Sequence, residues 1–223
     1  MIECHTLCYG NNWWIDECLP TIINWCSRHQ YKLKIWTDKD VAELQEKKFI
    51  ATSIWGKFIE SDNDWCIWVD SDVWIQSEAP KLTSEMQRGF WLATDPSSTA
   101  WAPLWRKWCF DHKLMPAPRE NWIYRNAGVW AIDKSTAKKL NAIAVPPMYP
   151  GVQEQHHLNY WASQLPESMV HVLPHQWNAM VPRSKSLIGW QGGWFVHLLS
   201  DKKNKWDEMD RFGGIHKFSH HNN

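Results

Sequence analysis

The chain lacks net charge: 24 Lys and Arg balance 24 Asp and Glu over 223 residues. A nucleic-acid or anionic-membrane partner would call for a basic excess, so neither is expected. No apolar run approaches the ~20 residues that cross a bilayer, and no transmembrane segment is expected. The opening stretch MIECHTLCYGNNWW has no basic flank followed by an apolar run, so no secretion signal is read there. There is no N-x-[ST] sequon. The six cysteines, Cys4, Cys8, Cys18, Cys26, Cys66 and Cys109, form no CxxC pair and no zinc-type cluster. Several fall on apolar faces, where a thiol packs as a small hydrophobe. Free buried thiols and a reducing, cytoplasmic setting are the expectation. No repeat, low-complexity linker or charge block divides the chain. One domain over residues 1–215 and a polar tail, HKFSHHNN (216–223), are expected.

Tryptophan is in excess, with 19 copies. Its flat ring suits bases and sugars, but it also fills cores. The patterning is clearer. IECHTLCYG (2–10) reads as a strand ending in a loop. Residues 13–29 have helical spacing, with Trp14, Cys18, Ile22 and Trp25 on one side, and Pro20 is expected to kink or restart that helix. YKLKIWTD (31–38) alternates as a strand, and 39–48 and 49–61 read as helices. WCIWV (65–69) is a continuous apolar strand of the kind found inside a parallel sheet. VWIQ (73–76), GFWLATD (89–95), NAGVWAID (126–133), SMVHVLP (168–174) and GWFVHLL (193–199) are further strands. Helices are expected over 99–113, 134–140 and 151–164. Strands and helices alternate to about residue 95, which predicts an α/β fold of three layers with a mostly parallel central sheet.

Asp70 and Asp72 stand directly after the greasy strand 65–69, where an α/β sheet gathers its ligands. In extended chain, residues i and i+2 point the same way, so the two carboxylates are expected to converge. Converging carboxylates repel, and a divalent cation relieves them. Hard oxygen ligands suit Mg²⁺ or Mn²⁺, which commonly share coordination with substrate phosphates. The motif therefore points to a metal–diphosphate site. Asp-Ser-Asp is equally good turn chemistry.

The arrangement of apolar strand, DSD and short strand resembles the DxD element of GT-A fold glycosyltransferases. RNAGVWAID (125–133) resembles the N-x-G-hydrophobic strand of the glycogenin and galactosyltransferase-like group, family 8. QEQHHLNYW (153–161) is similar to that group's DQ-x-x-LN segment, with Glu154 in place of aspartate. FVHLLSDKKNKW (195–206) is similar to its H-x-x-G-x-x-K-P-W segment, with Gly and Pro missing and a longer spacing. HTLCYG (5–10) and IWTD (35–38) match the nucleotide-contacting ends of the first two strands. The resemblance implies a GT-A type three-layer α/β/α sandwich. It also implies transfer of a sugar from a nucleoside diphosphate sugar, UDP-sugar being usual, to a glycan or other hydroxyl acceptor, with retention.

It implies residue roles as well. Asp70, Asp72 and His197 would hold Mn²⁺ or Mg²⁺, with Asp70 alternatively on the ribose and Ser71 beside the nucleotide. Thr6, Leu7 and Tyr9 would meet base and ribose. Asp38 would do so too, unless it caps the helix beginning near Lys39. Lys57 would reach the donor phosphates, and Lys203 or Lys205 would clamp the diphosphate. Asn126, Glu154, Gln155 and Asp95 would face the donor sugar, Gln155 lying near the anomeric carbon. The Trp- and Pro-rich segment 96–125 is placed on the acceptor side. Two rivals stay open. A nucleotidyltransferase would use the same carboxylates, but the loop CYGNNWW is neither glycine-rich nor basic. A non-catalytic sugar-binding protein would rest on the tryptophan count alone. A hydrolase would hold its two carboxylates roughly 5–10 Å apart, too far for residues sharing one ion.

Overall fold

The computed structural model describes residues 1–8, 10–40, 57–82, 86–96, 98–114, 117–142, 154–180 and 193–198. The expected helix over 39–48 beyond residue 40, most of that over 49–61 and the tail 216–223 lie outside them. The N-terminal half runs β1 (Ile2–Cys8), α1 (Trp13–Arg28), β2 (Lys32–Thr37), β3 (Trp65–Val69), β4 (Val73–Ile75) and β5 (Phe90–Thr94). The remainder runs α2 (Ser98–Asp111), β6 (Arg125–Asp133), α3 (Lys134–Asn141), α4 (Glu154–Gln164), β7 (Val170–Leu173), β8 (Ala179–Met180) and β9 (Phe195–His197).

Six strands form the central sheet in the order β2-β1-β3-β6-β5-β7. The pairs β1–β2, β1–β3 and β5–β7 are parallel, and β6 pairs antiparallel with both β3 and β5. Five strands therefore share one direction, and β6 alone opposes them. Alternation along β3 sorts its side chains. Cys66 and Trp68 join the core shared with α2, α3 and α4, while Ile67 and Val69 join the core shared with α1 and Phe195. Helices thus cover one face. The other is covered by α1 and by a second sheet, β4-β9-β8, in which β9 pairs antiparallel with β4 and parallel with β8. Much of the tryptophan excess is packing: Trp36, Trp68, Trp105, Trp130 and Trp161 sit in the helical-side core.

Pro20 neither ends nor restarts α1; it sits inside one continuous helix. Interior proline costs a helix ~3 kcal/mol. Against that, the stripe Cys18, Ile22, Trp25 and Cys26 is buried, and each large apolar side chain contributes roughly 1.5–3 kcal/mol. Packing outweighs the local penalty. All six cysteines are free, five of them buried. Among the described residues no helix is long and apolar enough to cross a membrane.

Candidate metal and sugar site

β3 leaves the central sheet at Val69, and β4 enters the small sheet at Val73. Between them the chain turns: the Val73 N–H donates to the Asp70 carbonyl at 3.1 Å. The Asp-Ser-Asp stretch is thus both a β-turn and a candidate ligand loop. The carboxylates converge through this turn rather than through strand alternation, which corrects the extended-chain geometry expected from sequence. Ser71 occupies the turn, half-buried. Antiparallel pairing sets His197 opposite Val73, and the Leu198 N–H donates to the Asp72 carbonyl at 3.0 Å. Backbone register therefore brings the third ligand alongside the turn. Nε2 of His197 lies 3.2 Å from Asp72 Oδ1 and 3.9 Å from Asp70 Oδ2. One ligand atom from each residue lies within 4.8 Å of the other two.

Burial and the neighbouring Asp72 charge push the Asp70 carboxyl up to about 7. Burial pulls the His197 pKa down. The charge and hydrogen bond of Asp72, with Asp70 and Asp95 behind, overcome that and leave it raised. Among the described residues, negative charge is thus concentrated beside a single titratable cation, His197. Two carboxylates and an imidazole suit a divalent ion of Mn²⁺ or Mg²⁺ type, the nitrogen favouring Mn²⁺.

The orientation of His197 follows from one backbone donor. The Gly128 N–H donates to Asn126 Oδ1 at 2.8 Å, which identifies that atom as the oxygen. Asn178 Nδ2 donates to the same oxygen at 2.9 Å. Asn178 Oδ1 then faces His197 Nδ1 at 3.0 Å, so Nδ1 carries the proton. Nε2 faces the aspartates, and once its proton has left it would present its lone pair to an ion between them, as ligating histidines require. Gly128 makes room for the ring: a Cβ there would overlap His197 Cε1 and lie 2.5 Å from Nδ1. Trp68, stacked on Trp130 with ring planes 7° apart, donates its indole N–H to Asp70 Oδ1 at 2.6 Å.

The amide chain continues beyond Asn126, toward the residues expected to face a donor sugar. Asn126 Nδ2 and the Ala127 N–H approach Gln155 Oε1 at 3.3 and 3.2 Å, and Gln155 Nε2 donates to Asp95 Oδ2 at 2.9 Å. Asp95, Gln155, Asn126, Asn178 and His197 are therefore one connected network. Glu154, in the first turn of α4, adds its charge at Asp70. Where the nucleotide was expected, Leu7 is half-buried, whereas Thr6 is enclosed with no exposed surface. The Asp38 carboxylate accepts the Gly10 N–H at 3.0 Å and so ties the loops after β1 and β2. Lys57 rests its ammonium 4.7 Å from the Trp36 ring centroid. Tyr9, Lys203 and Lys205 lie outside the described residues.

Asn178 and Trp68 escaped the sequence reading. Asn178 carries no local signal, because its partners are far away in sequence. Trp68 had one, an indole two residues before an acid on the same strand face. Asn178→Ala is expected to weaken Mn²⁺ binding about 10–100-fold, as loss of an outer partner does. Competition of Mn²⁺ with the free ion, followed by electron paramagnetic resonance, checks this.

No protein-family model matches this sequence, and neither does any curated protein. Solved structures do. A glycosyltransferase involved in the glycosylation of the major capsid of PBCV-1 aligns over 94% of this chain and 99% of its own, at 12% identity and TM-score 0.55. The galactosyltransferase LgtC, in complex with donor and acceptor sugar analogs, aligns over 90% of this chain and 88% of its own, at 12% identity and TM-score 0.51. Mouse xyloside xylosyltransferase 1 aligns over 90% of this chain and 99% of its own, at 11% identity and TM-score 0.52. The chain has the GT-A fold of these glycosyltransferases, as its motifs led one to expect.

Proposed function

We propose that the protein transfers a sugar from a nucleoside diphosphate sugar, UDP-sugar by preference, to an acceptor hydroxyl, with a divalent cation as cofactor. The observation that carries this reading is the meeting of Asp70, Asp72 and His197 Nε2 at the carboxyl end of β3 in this fold. These three residues would hold Mn²⁺ or Mg²⁺, which when bound supplies Lewis-acid charge to the leaving diphosphate.

The remaining work falls to the chain's own groups. Leu7 and Asp38, with Tyr9 and Ser71, serve the nucleoside. Lys57 and a lysine of the pair Lys203 and Lys205 add positive charge toward the diphosphate. Asn126, Gln155, Asp95 and Glu154 offer the paired donors and acceptors that sugar hydroxyls need. The Gln155 side chain is held at both ends, by the Ala127 N–H and by Asp95. Such an amide positions a sugar well and is a poor nucleophile. Front-face attack with retention is accordingly the proposed course, the departing phosphate steering the acceptor.

Isothermal titration of UDP with and without Mn²⁺ tests the reading. Binding is expected with metal, to be lost in EDTA, and to depend on pH in a defined direction. Asp70 takes a proton below about 7, and that proton must leave when metal enters. The raised His197 imidazole must give up a proton as well, so metal-dependent affinity should fall as pH falls, by about tenfold per pH unit for each proton displaced. Tight UDP binding that ignores both EDTA and pH would remove the metal from the scheme.

A further inference from the structure

A group of arginines with no assigned role stands beside Asn126 and the helix that carries Gln155. Arg125 opens β6 opposite Thr94, directly before Asn126, and its Nη1 donates to Thr94 Oγ1 at 3.1 Å. Its Cζ lies 5.9 Å from the centroid of the Trp122 ring, and the Cζ of Arg119 lies 5.1 Å from the same ring. Arg106 secures this stretch from α2, donating to the carbonyls of Glu120 at 2.7 Å and Trp122 at 3.2 Å.

The platform is rigid and joined to the site. Trp122 is buried and donates its indole N–H to Asn159 Oδ1 at 2.9 Å. That oxygen also accepts the Arg125 N–H at 2.7 Å. Asn159 Nδ2 donates to the Gln155 carbonyl at 2.7 Å. The two stacked arginines are therefore mounted on the same helix turn that carries Gln155.

What they lack among the described residues is a counter-charge. Among the described residues, no carboxylate forms an ion pair with Arg106, Arg119 or Arg125. The Nε atoms of Arg119 and Arg125 are enclosed without a hydrogen-bond partner. Burial and the Arg119 charge pull the Arg125 pKa down. Two half-buried guanidiniums sharing one indole repel each other, and an anion between them relieves the strain. Guanidinium forks match carboxylate and phosphate, often through two parallel hydrogen bonds.

We propose that this cluster binds an acidic group, a carboxylate or phosphate carried by the donor sugar or by the acceptor. Arg119 and Arg125 are its recognition residues, and Trp122 is the platform that holds them. Only the identity of the ligand as a sugar rests on the glycosyl-transfer reading.

Matched titrations at low ionic strength test it. The donor arm compares UDP-glucuronate with UDP-glucose in Mn²⁺. The acceptor arm compares a glucuronate-terminated with a glucose-terminated disaccharide, added to the protein with UDP and Mn²⁺. In one arm the acidic member is expected to bind at least about tenfold tighter, as a charge-assisted pair allows. That advantage should vanish in Arg125→Gln and in Arg119→Gln, with UDP affinity unchanged. Equal binding within both pairs, or an advantage that survives both substitutions, would overturn the proposal. Should UDP itself fail to bind, inorganic phosphate alone separates the two ideas. Shifts of the Arg119, Arg125 and Trp122 side-chain N–H resonances, absent in the variants, would uphold the arginine site while the transferase reading falls. Silence of those resonances would overturn the site as well.

Discussion

Asp72→Ala is expected to lower sugar transfer by at least about 10²–10³-fold, the scale seen when a main electrostatic stabiliser is removed. Mn²⁺-dependent UDP binding should disappear with it. The fold should survive, because the backbone hydrogen bonds that close the turn remain. The Asp72 carbonyl accepts the Leu198 N–H, and the turn closes through the Asp70 carbonyl and the Val73 N–H. The substitution also removes the charge that raises the Asp70 pKa, so the metal-free protein loses a repulsion. A variant that melts at the wild-type temperature and still transfers sugar would take Asp72 out of the site. Melting scans beside a donor-turnover assay decide the matter.

Gly128→Ala should do comparable harm without touching any ligand. One methyl group at this position meets the His197 ring and comes within 3.0 Å of Asn126 Oδ1. The ring cannot withdraw easily: His197 is buried on β9 and pinned through Nδ1 to Asn178. Either the imidazole tilts away from the aspartates or β6 shifts from β9. Overpacking of this kind costs typically ~1–3 kcal/mol of stability, and a displaced ligand should cost Mn²⁺ affinity about 10–100-fold. A Mn²⁺ titration paired with chemical denaturation separates the two. Wild-type affinity in both the folded variant and the parent would show that the close approach is unimportant.

Gly128 also shows what could be read in advance. The motif Asn126-x-Gly128 was visible, and its resemblance pointed to the sugar. Why glycine is needed was not visible, because the reason is an imidazole that arrives from β9. The strand Trp65–Val69 was legible to the residue, since burial on both faces leaves an unbroken apolar run. The helix after Asp133 was legible for a local reason too: its carboxylate accepts the Ser135 and Thr136 N–H groups. β8 was not, for two residues cannot display a period. The sense of β6 was also hidden, because its run of apolar side chains is the same whichever way the neighbours run. Asp70 and Asp72 were expected to meet by an argument from extended chain that the turn replaces, and His197 joined them through the resemblance alone; the structure brings all three together. Asn178 had to await tertiary structure, as its use depends wholly on Asn126 and His197.

The crossing from β3 to β4 has a bearing on how the chain tolerates shortening. β9 is the middle strand of the small sheet, pairing with β4 on one side and β8 on the other. A truncation before Phe195 would strip both neighbours of their partner at once. Val73, Trp74 and Ile75, now buried, would become a bare, sticky margin open to pairing with other chains. The same cut deletes His197, the imidazole that faces Asp72, so solubility and the proposed cation capture would fail together.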